Sequence, residues 1–304
     1  MRVIFAGSPE PAVPVLRALV DSHHEVALVV TREDRPKGRS RSPVPTPVGA
    51  VAEDLGIPTL KPASINAPES LQVLRDAHAG ALAVAAFGQI LKEDVLDGWP
   101  CINVHYSLLP AYRGAAPVER ALMDCVDATG TTIMQMDPGL DTGPIIESVP
   151  VDVAGDDDAG AVLTKMAEAS GPALIRALDA VERGALVSTP QPDEGASVAA
   201  KITDADRPLN PARPARALVG QVRALSPNIG AVLHIDGNPF KIWRVKDTGV
   251  PAPAGLASAD GHLVLGTGTT GLEIVELQPP GKGRMPAEAF LRGYRGELAI
   301  TTTA

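Results

Sequence analysis

The chain has 304 residues, 45% hydrophobic and 21% charged, which excludes a disordered tail-like protein and leaves material for a core with room for a second domain. Two cysteines, Cys101 and Cys125, exclude a disulfide framework and suit a reducing compartment. The net charge of −9 is uneven: residues 1–204 hold 16 Lys/Arg against 28 Asp/Glu, and 205–304 hold 11 against 8, so an acidic first part precedes a slightly basic last hundred residues.

RVIFAG at 2–7 is an apolar run ending in Gly, the pattern of a buried parallel strand. Ser8 and Pro9 are placed to cap and open a helix over the following residues, and EVALVVT at 25–31 reads as a second strand. That βαβ opening predicts an open α/β sheet. A Thr46-capped helix over 46–56, a short strand at 58–62, a helix over 67–79 and a central strand at 81–86 follow. CINVH at 101–105 is the next strand and 114–124 the next helix. Residues 131–136 and 144–151 read as paired strands around a loop, and 156–184 as a long helix with a break near Gly171-Pro172. The Pro-, Asp- and Ser-rich stretch 185–211 reads as a linker between a catalytic domain (1–184) and a C-terminal domain (212–304). In the latter, one helix and short alternating strands at 231–235, 239–246, 262–265 and 272–277 predict a small β-barrel of the oligonucleotide-binding type. The longest apolar run, 79–91, is too short to span a bilayer, and no secretory leader is visible, so a cytoplasmic protein without membrane contact is expected.

The strand CINVH carries the chemistry. Side chains two apart share a face, so Asn103 and His105 point together at the C-terminal end of the strand, where open α/β sheets bind ligands. Asn offers N–H donors without charge, and His moves protons near neutral pH. No G-x-S-x-G elbow surrounds Ser107 and no G-x-G-x-x-G follows the first strand, which argues against a serine nucleophile and against a nicotinamide dinucleotide. Such a pair suits acyl transfer without a covalent enzyme intermediate. The Gly-rich loop MDPGLDTGP at 136–144 supplies a carboxylate to fix the imidazole: Asp141, flanked by Leu140 and Thr142, is favoured over Asp137, whose place before Pro138 suits a turn.

Taken with AGSPEPAVPVL before it and MDPGLDTGPI after it, INVHYSLLPAYRGAAPVERAL resembles the folate-dependent formyltransferases, and DRPKGR (34–39), AAFGQIL (85–91), Lys201-Ile202 and QPPGKGRM (278–285) extend the likeness over nearly the whole chain. It is most similar to those members that act on methionyl initiator tRNA. The resemblance implies a Rossmann-like formyltransferase domain joined to a C-terminal β-barrel, and it implies Asn103, His105 and Asp141 as catalytic. It also implies a 10-formyltetrahydrofolate site lined by Ser107, Leu108, Leu109 and Pro110 and by Phe87, Gly88, Gln89, Ile90 and Leu91, without a metal. The arginine-rich loop, with Arg32, Arg35, Lys37, Arg39 and Arg41, is implied to meet the tRNA acceptor stem. A monomer is expected. The competing expectation is a relative that formylates a nucleotide or sugar amine, which needs neither a basic barrel nor the arginine-rich loop.

Overall fold

The computed structural model of the chain describes residues 1–36 and 42–300, so Lys37, Arg39 and Arg41 lie outside the described residues. In chain order the elements begin with β1 (Arg2–Gly7), a 3-10 turn at Glu10–Ala12, α1 (Val13–Val20), β2 (Glu25–Val30), the two-residue strands β3 (Arg35–Pro36) and β4 (Pro43–Val44), and α2 (Pro47–Asp54). They continue with β5 (Thr59–Leu60), α3 (Pro68–Asp76), β6 (Ala81–Ala85), α4 (Glu93–Leu96), β7 (Cys101–His105), β8 (Arg113–Gly114), α5 (Pro117–Met123), β9 (Ala128–Gln135), β10 (Ile145–Asp152) and α6 (Ala159–Glu182). After β11 (Val198–Ala199) come α7 (Ala215–Leu225), β12 (Ala231–Ile235), β13 (Asn238–Asp247), β14 (Gly255–Ala259), β15 (His262–Gly266), β16 (Gly271–Gln278), β17 (Met285–Pro286) and α8 (Ala287–Gly293). Two compact units form: one from 1–114, 128–152 and 163–198, the other from 115–127, 153–162 and 199–304. The stretch 185–211 divides between them, with 185–198 in the first unit and 199–211 in the second.

The first unit is built on a seven-stranded sheet in the order β10-β9-β7-β6-β1-β2-β5. The five strands from β7 to β5 run parallel, and β9 and β10 add an antiparallel edge. This is the Rossmann-like α/β sheet the sequence predicts. The chain leaves β1 to one side through β2 and returns to its other side through β6, so the order reverses between β1 and β6, next to β7. Crevices at such a reversal, beyond the carboxyl ends of the strands, are where these sheets take ligands. Ile4, Ala6, Val30, Leu82 and Val84 fill one face with Ile65, Leu74 and Trp99.

Two expectations change in this unit. Ser8 caps no helix: its hydroxyl donates to the Phe87 carbonyl (3.3 Å) and accepts from the Arg32 N–H (3.2 Å), so it ties the strand ends at the sheet reversal. Thr46, by contrast, caps α2 as predicted, accepting from the Gly49 N–H at 3.0 Å. The long helix does not break at Gly171-Pro172: α6 runs through Pro172. Ala173, Leu174, Ala177 and Leu178 are buried beyond the proline, and that burial offsets the lost backbone hydrogen bond. Gly171 is a close-packing residue, since a Cβ there would stand 2.5 Å from the Ala18 Cβ.

In the second unit a six-stranded antiparallel sheet, β12-β13-β16-β15-β14 with β17 on β16, is the half-barrel form of the predicted β domain. Leu218, Val222, Leu233, Ile242, Leu265, Ile274 and Phe290 form its core. The sequence missed β14, β17 and α8. α5 packs on α7, and Gly220 permits the approach: a Cβ there would lie 2.5 Å from the Leu122 carbonyl oxygen. Arg120 grips Asp206 with two guanidinium nitrogens, at 2.6 and 3.1 Å. That bond, with the Thr203 N–H and hydroxyl, holds the Asp206 carboxyl down at about 2. On the sheet, the exposed Arg284 guanidinium lies 3.4 Å from the centre of the Trp243 ring, with Lys241 at 5.3 Å.

Candidate active site

β7 ends the parallel run of the sheet between β6 and β9, with Asn103 opposite Val84 and Met134 and His105 opposite Thr132. Both are enclosed, 8% and 5% exposed, in a strand whose every residue is buried. Among the described residues the Asn103 carboxamide makes no hydrogen bond, and its polar atoms are still reached by solvent. A buried amide left without a protein partner is costly unless something else takes its hydrogen bonds. It is therefore ready to donate to a carbonyl oxygen.

His105 is held from both sides. Nε2 lies 2.9 Å from the Tyr112 carbonyl, which can only accept, so Nε2 carries a hydrogen and Nδ1 holds the lone pair in the neutral ring. Nδ1 faces Asp141 Oδ2 at 3.6 Å. Two acceptors thus stand just beyond hydrogen-bond length, an arrangement that gains strength when a proton arrives between them. The Asp141 oxygen that faces the ring also accepts from the Gly114 N–H at 2.9 Å. Tyr112 (φ 60°) and Asp141 (φ 53°), the two residues that grip the imidazole, both adopt the left-handed backbone region that non-glycine residues avoid. Such local strain collects at functional sites.

Asp137 plays the turn role its position predicts, its carboxylate accepting from the Thr142 hydroxyl (2.9 Å) and the Gly139 N–H (3.1 Å). A Cβ on Gly143 would collide with the Gln135 carbonyl, so the loop closes only with glycine there.

The segments expected around folate separate into walls and anchors. Ser107 is fully enclosed, its hydroxyl spent on the Ala111 carbonyl (2.6 Å) and its carbonyl on the Thr132 hydroxyl (2.7 Å). Leu109 is buried as well, while Leu108 and Pro110 are half-buried, with a cis peptide between Leu109 and Pro110. Phe87 and Leu91 anchor their loop in the core, and Gln89 fastens it by accepting from the Ile65 N–H (2.8 Å) and donating to the Pro62 carbonyl (3.2 Å). That leaves Gly88 and Ile90 at the surface, Ile90 81% exposed. Leu140, in the loop that carries Asp141, is exposed as well. Arg32 is exposed beside the Gly88 loop, 3.7 Å from where a Cβ on Gly88 would stand, and Arg35 is exposed in β3. Tyr106 turns to the Pro11 carbonyl (2.7 Å), and burial pushes its phenol well above the ordinary value.

One residue that braces the Asp141 loop had no signal in the sequence. Gln191, inside the stretch read as linker, donates to the carbonyls of Asp141 and Gly143, both at 2.8 Å. Its oxygen accepts from Arg113 Nε and Nη2 at 2.9 and 2.7 Å. It clamps the Asp141 loop to the segment carrying Tyr112. Gln191→Ala is expected to lower kcat about 10-fold or more with KM for folate little changed, since small misplacements of a reacting group are expensive. Gln191→Glu, which keeps the Arg113 contact but loses the donors, is expected to behave like Ala; steady-state kinetics of both variants check this.

An amide without a partner among the described residues, beside a gripped imidazole at the ligand edge of a Rossmann-like sheet, is an arrangement suited to acyl transfer. Residues 1–178 match the Formyl transferase family, and 201–295 match its C-terminal domain family. A methionyl-tRNA formyltransferase of Acidothermus cellulolyticus is 38% identical over 97% of this chain and 98% of its own length. Another, from Mycobacteroides abscessus, is 39% identical over 99% of each chain. A sugar 3-N-formyltransferase crystallised with dTDP and 5-N-formyl-THF shares the fold at TM-score 0.68 and 16% identity, covering 93% of this chain and 99% of that one. The chain belongs to the methionyl-tRNA formyltransferase family.

Proposed function

We propose that the enzyme transfers the formyl group of 10-formyltetrahydrofolate to the α-amine of methionine on initiator tRNA, giving N-formylmethionyl-tRNA for translation initiation. The observation that carries the chemistry is the Asn103 carboxamide, buried and without a partner among the described residues, two residues before a fixed histidine. Folate supplies an activated formyl group. Asn103 donates to the formyl oxygen and takes up the charge that develops there as the amine adds. A free α-amine has a pKa of about 8, so a usable fraction attacks in its neutral form. His105 Nδ1 accepts the amine's proton, with Asp141 Oδ2 facing the imidazolium so formed, and returns it to the departing folate nitrogen. Tyr112 and Gln191 hold this pair in place.

Leu108, Pro110, Gly88 and Ile90 form the folate-facing walls in this reading; Ser107, Leu109, Phe87, Gln89 and Leu91 support them. Arg32, Arg35, Lys37, Arg39 and Arg41 meet tRNA phosphates, and the second unit offers the exposed Arg284, stacked on the buried Trp243 ring, as a further cation for phosphate. The enzyme works in the cytoplasm as a monomer; among the described residues no helix is long and apolar enough to cross a membrane.

The test is direct: purified enzyme, 10-formyltetrahydrofolate, and methionyl initiator or elongator tRNA. Formylmethionine is expected from the initiator substrate and far less from the elongator. No formylmethionine from the initiator overturns the reading.

A further inference from the structure

α6 ends against the usual rule. Its last turn carries Asp179 and Glu182 and no base, although the helix dipole disfavours carboxylates at that end. Two adjacent histidines in the turn between α1 and β2 meet them. His23 Nε2 lies 2.7 Å and His24 Nε2 3.2 Å from the same oxygen, Asp179 Oδ1. The His24 side chain is wholly enclosed, yet its Nε2 has no hydrogen-bond partner. His24 Nδ1 sits 4.0 Å from Glu182 Oε2 and 3.1 Å from the Met1 ammonium, which also pairs with Glu182 at 2.9 Å. One ligand atom from each of His23, His24, Asp179 and Glu182 lies within 4.8 Å of all the others.

We propose that His23, His24, Asp179 and Glu182 form a binding site for a divalent cation of the zinc class, independent of the formyl-transfer site. Imidazole nitrogen with carboxylate oxygen is the donor set zinc prefers where no thiolate is present. Bonds of 2.0–2.1 Å put tetrahedral ligand atoms about 3.3 Å apart, close to the 3.2 Å between His24 Nε2 and Asp179 Oδ1. His24 Nε2 faces Asp179 Oδ1 at 3.2 Å yet forms no hydrogen bond among the described residues; a metal ion would give both atoms a shared partner. Burial first, then the Met1 ammonium and His23, push the His24 imidazole below its ordinary value, which favours the neutral ring. Met1 donates to Nδ1, so the neutral His24 ring carries its hydrogen on Nε2. Metal binding releases one proton from the His24–Met1 pair to solvent. The ion would tie the α1–β2 turn to the end of α6, across 156 residues of chain.

The experiment uses the tag-free full chain, titrated with Zn²⁺ by calorimetry and with Co²⁺ by visible absorption, where intense bands mark tetrahedral coordination. One ion per chain and a tetrahedral Co²⁺ spectrum are expected. Asp179→Asn and the exposed-site variant His23→Ala are each expected to weaken binding at least 10-fold. His23→Ala is expected to keep native formyl transfer and native circular dichroism, so its lost binding reports the site and not unfolding. Absence of stoichiometric binding in the native chain, or binding that survives both substitutions unchanged, overturns the proposal.

Discussion

Asn103→Ala is expected to lower kcat by about 10²–10³-fold, the usual loss when one oxyanion donor is removed. The fold gives this prediction a second half. Because the carboxamide bonds to nothing in the protein among the described residues, its removal breaks no internal hydrogen bond. The variant loses only side-chain packing, partly offset by relief of the unpartnered amide, so its thermal midpoint should not fall in step with its activity. Steady-state formylation kinetics with a parallel melting curve check both halves. A variant that melts early in proportion to its lost activity would make Asn103 a structural residue, and the oxyanion role would fail. KM for tRNA should not move, since Asn103 acts where charge develops and not on the ground state.

His105→Ala is expected to cost about 10²–10⁴-fold in kcat, the range for a positioned general acid–base. Here some stability goes with it. The Tyr112 carbonyl loses its donor and two left-handed residues lose the ring they grip. The distinguishing measurement is rescue. The substitution opens a space between the Tyr112 carbonyl and Asp141 Oδ2, and imidazole added to the assay can lie there with the same two partners. Partial restoration by imidazole, and none by an equal concentration of a non-basic five-membered ring, supports the proton role. Near-native turnover of the variant without imidazole would remove it.

The pairing of Asn103 and His105 was legible because strand periodicity is local: five residues suffice to put both on one face. Asp137 could be told from Asp141 for the same reason, since the proline after it and the glycine two residues on make a turn. Ser8 was misread because its true partners, Phe87 and Arg32, are brought to it by the sheet and not by the neighbouring sequence. Gln191 was invisible for a stronger reason. It lies in a Pro-rich stretch with no period, and what it holds is the backbone of residues about 50 positions earlier. Carbonyls carry no residue-specific mark, so nothing in the sequence announces that a side chain is needed for them. The histidine pair at 23–24 was readable as residues but not as a cluster, because its carboxylates come from a helix more than 150 positions away.

The packing of α5 on α7 has a consequence for how the chain is made. Cys125, just past α5, meets Arg216 of α7 from 91 residues further along. At synthesis rates of roughly 5–20 residues per second, Val118, Ala121 and Leu122 wait on the order of 5–20 s for the helix that covers them. During that interval a nascent chain, with the strand bearing Asn103 and His105 already made, carries an apolar segment open to chaperones or to self-association. An enzyme that prepares the first amino acid of new proteins thus has its own vulnerable moment on the ribosome, and it falls midway through elongation.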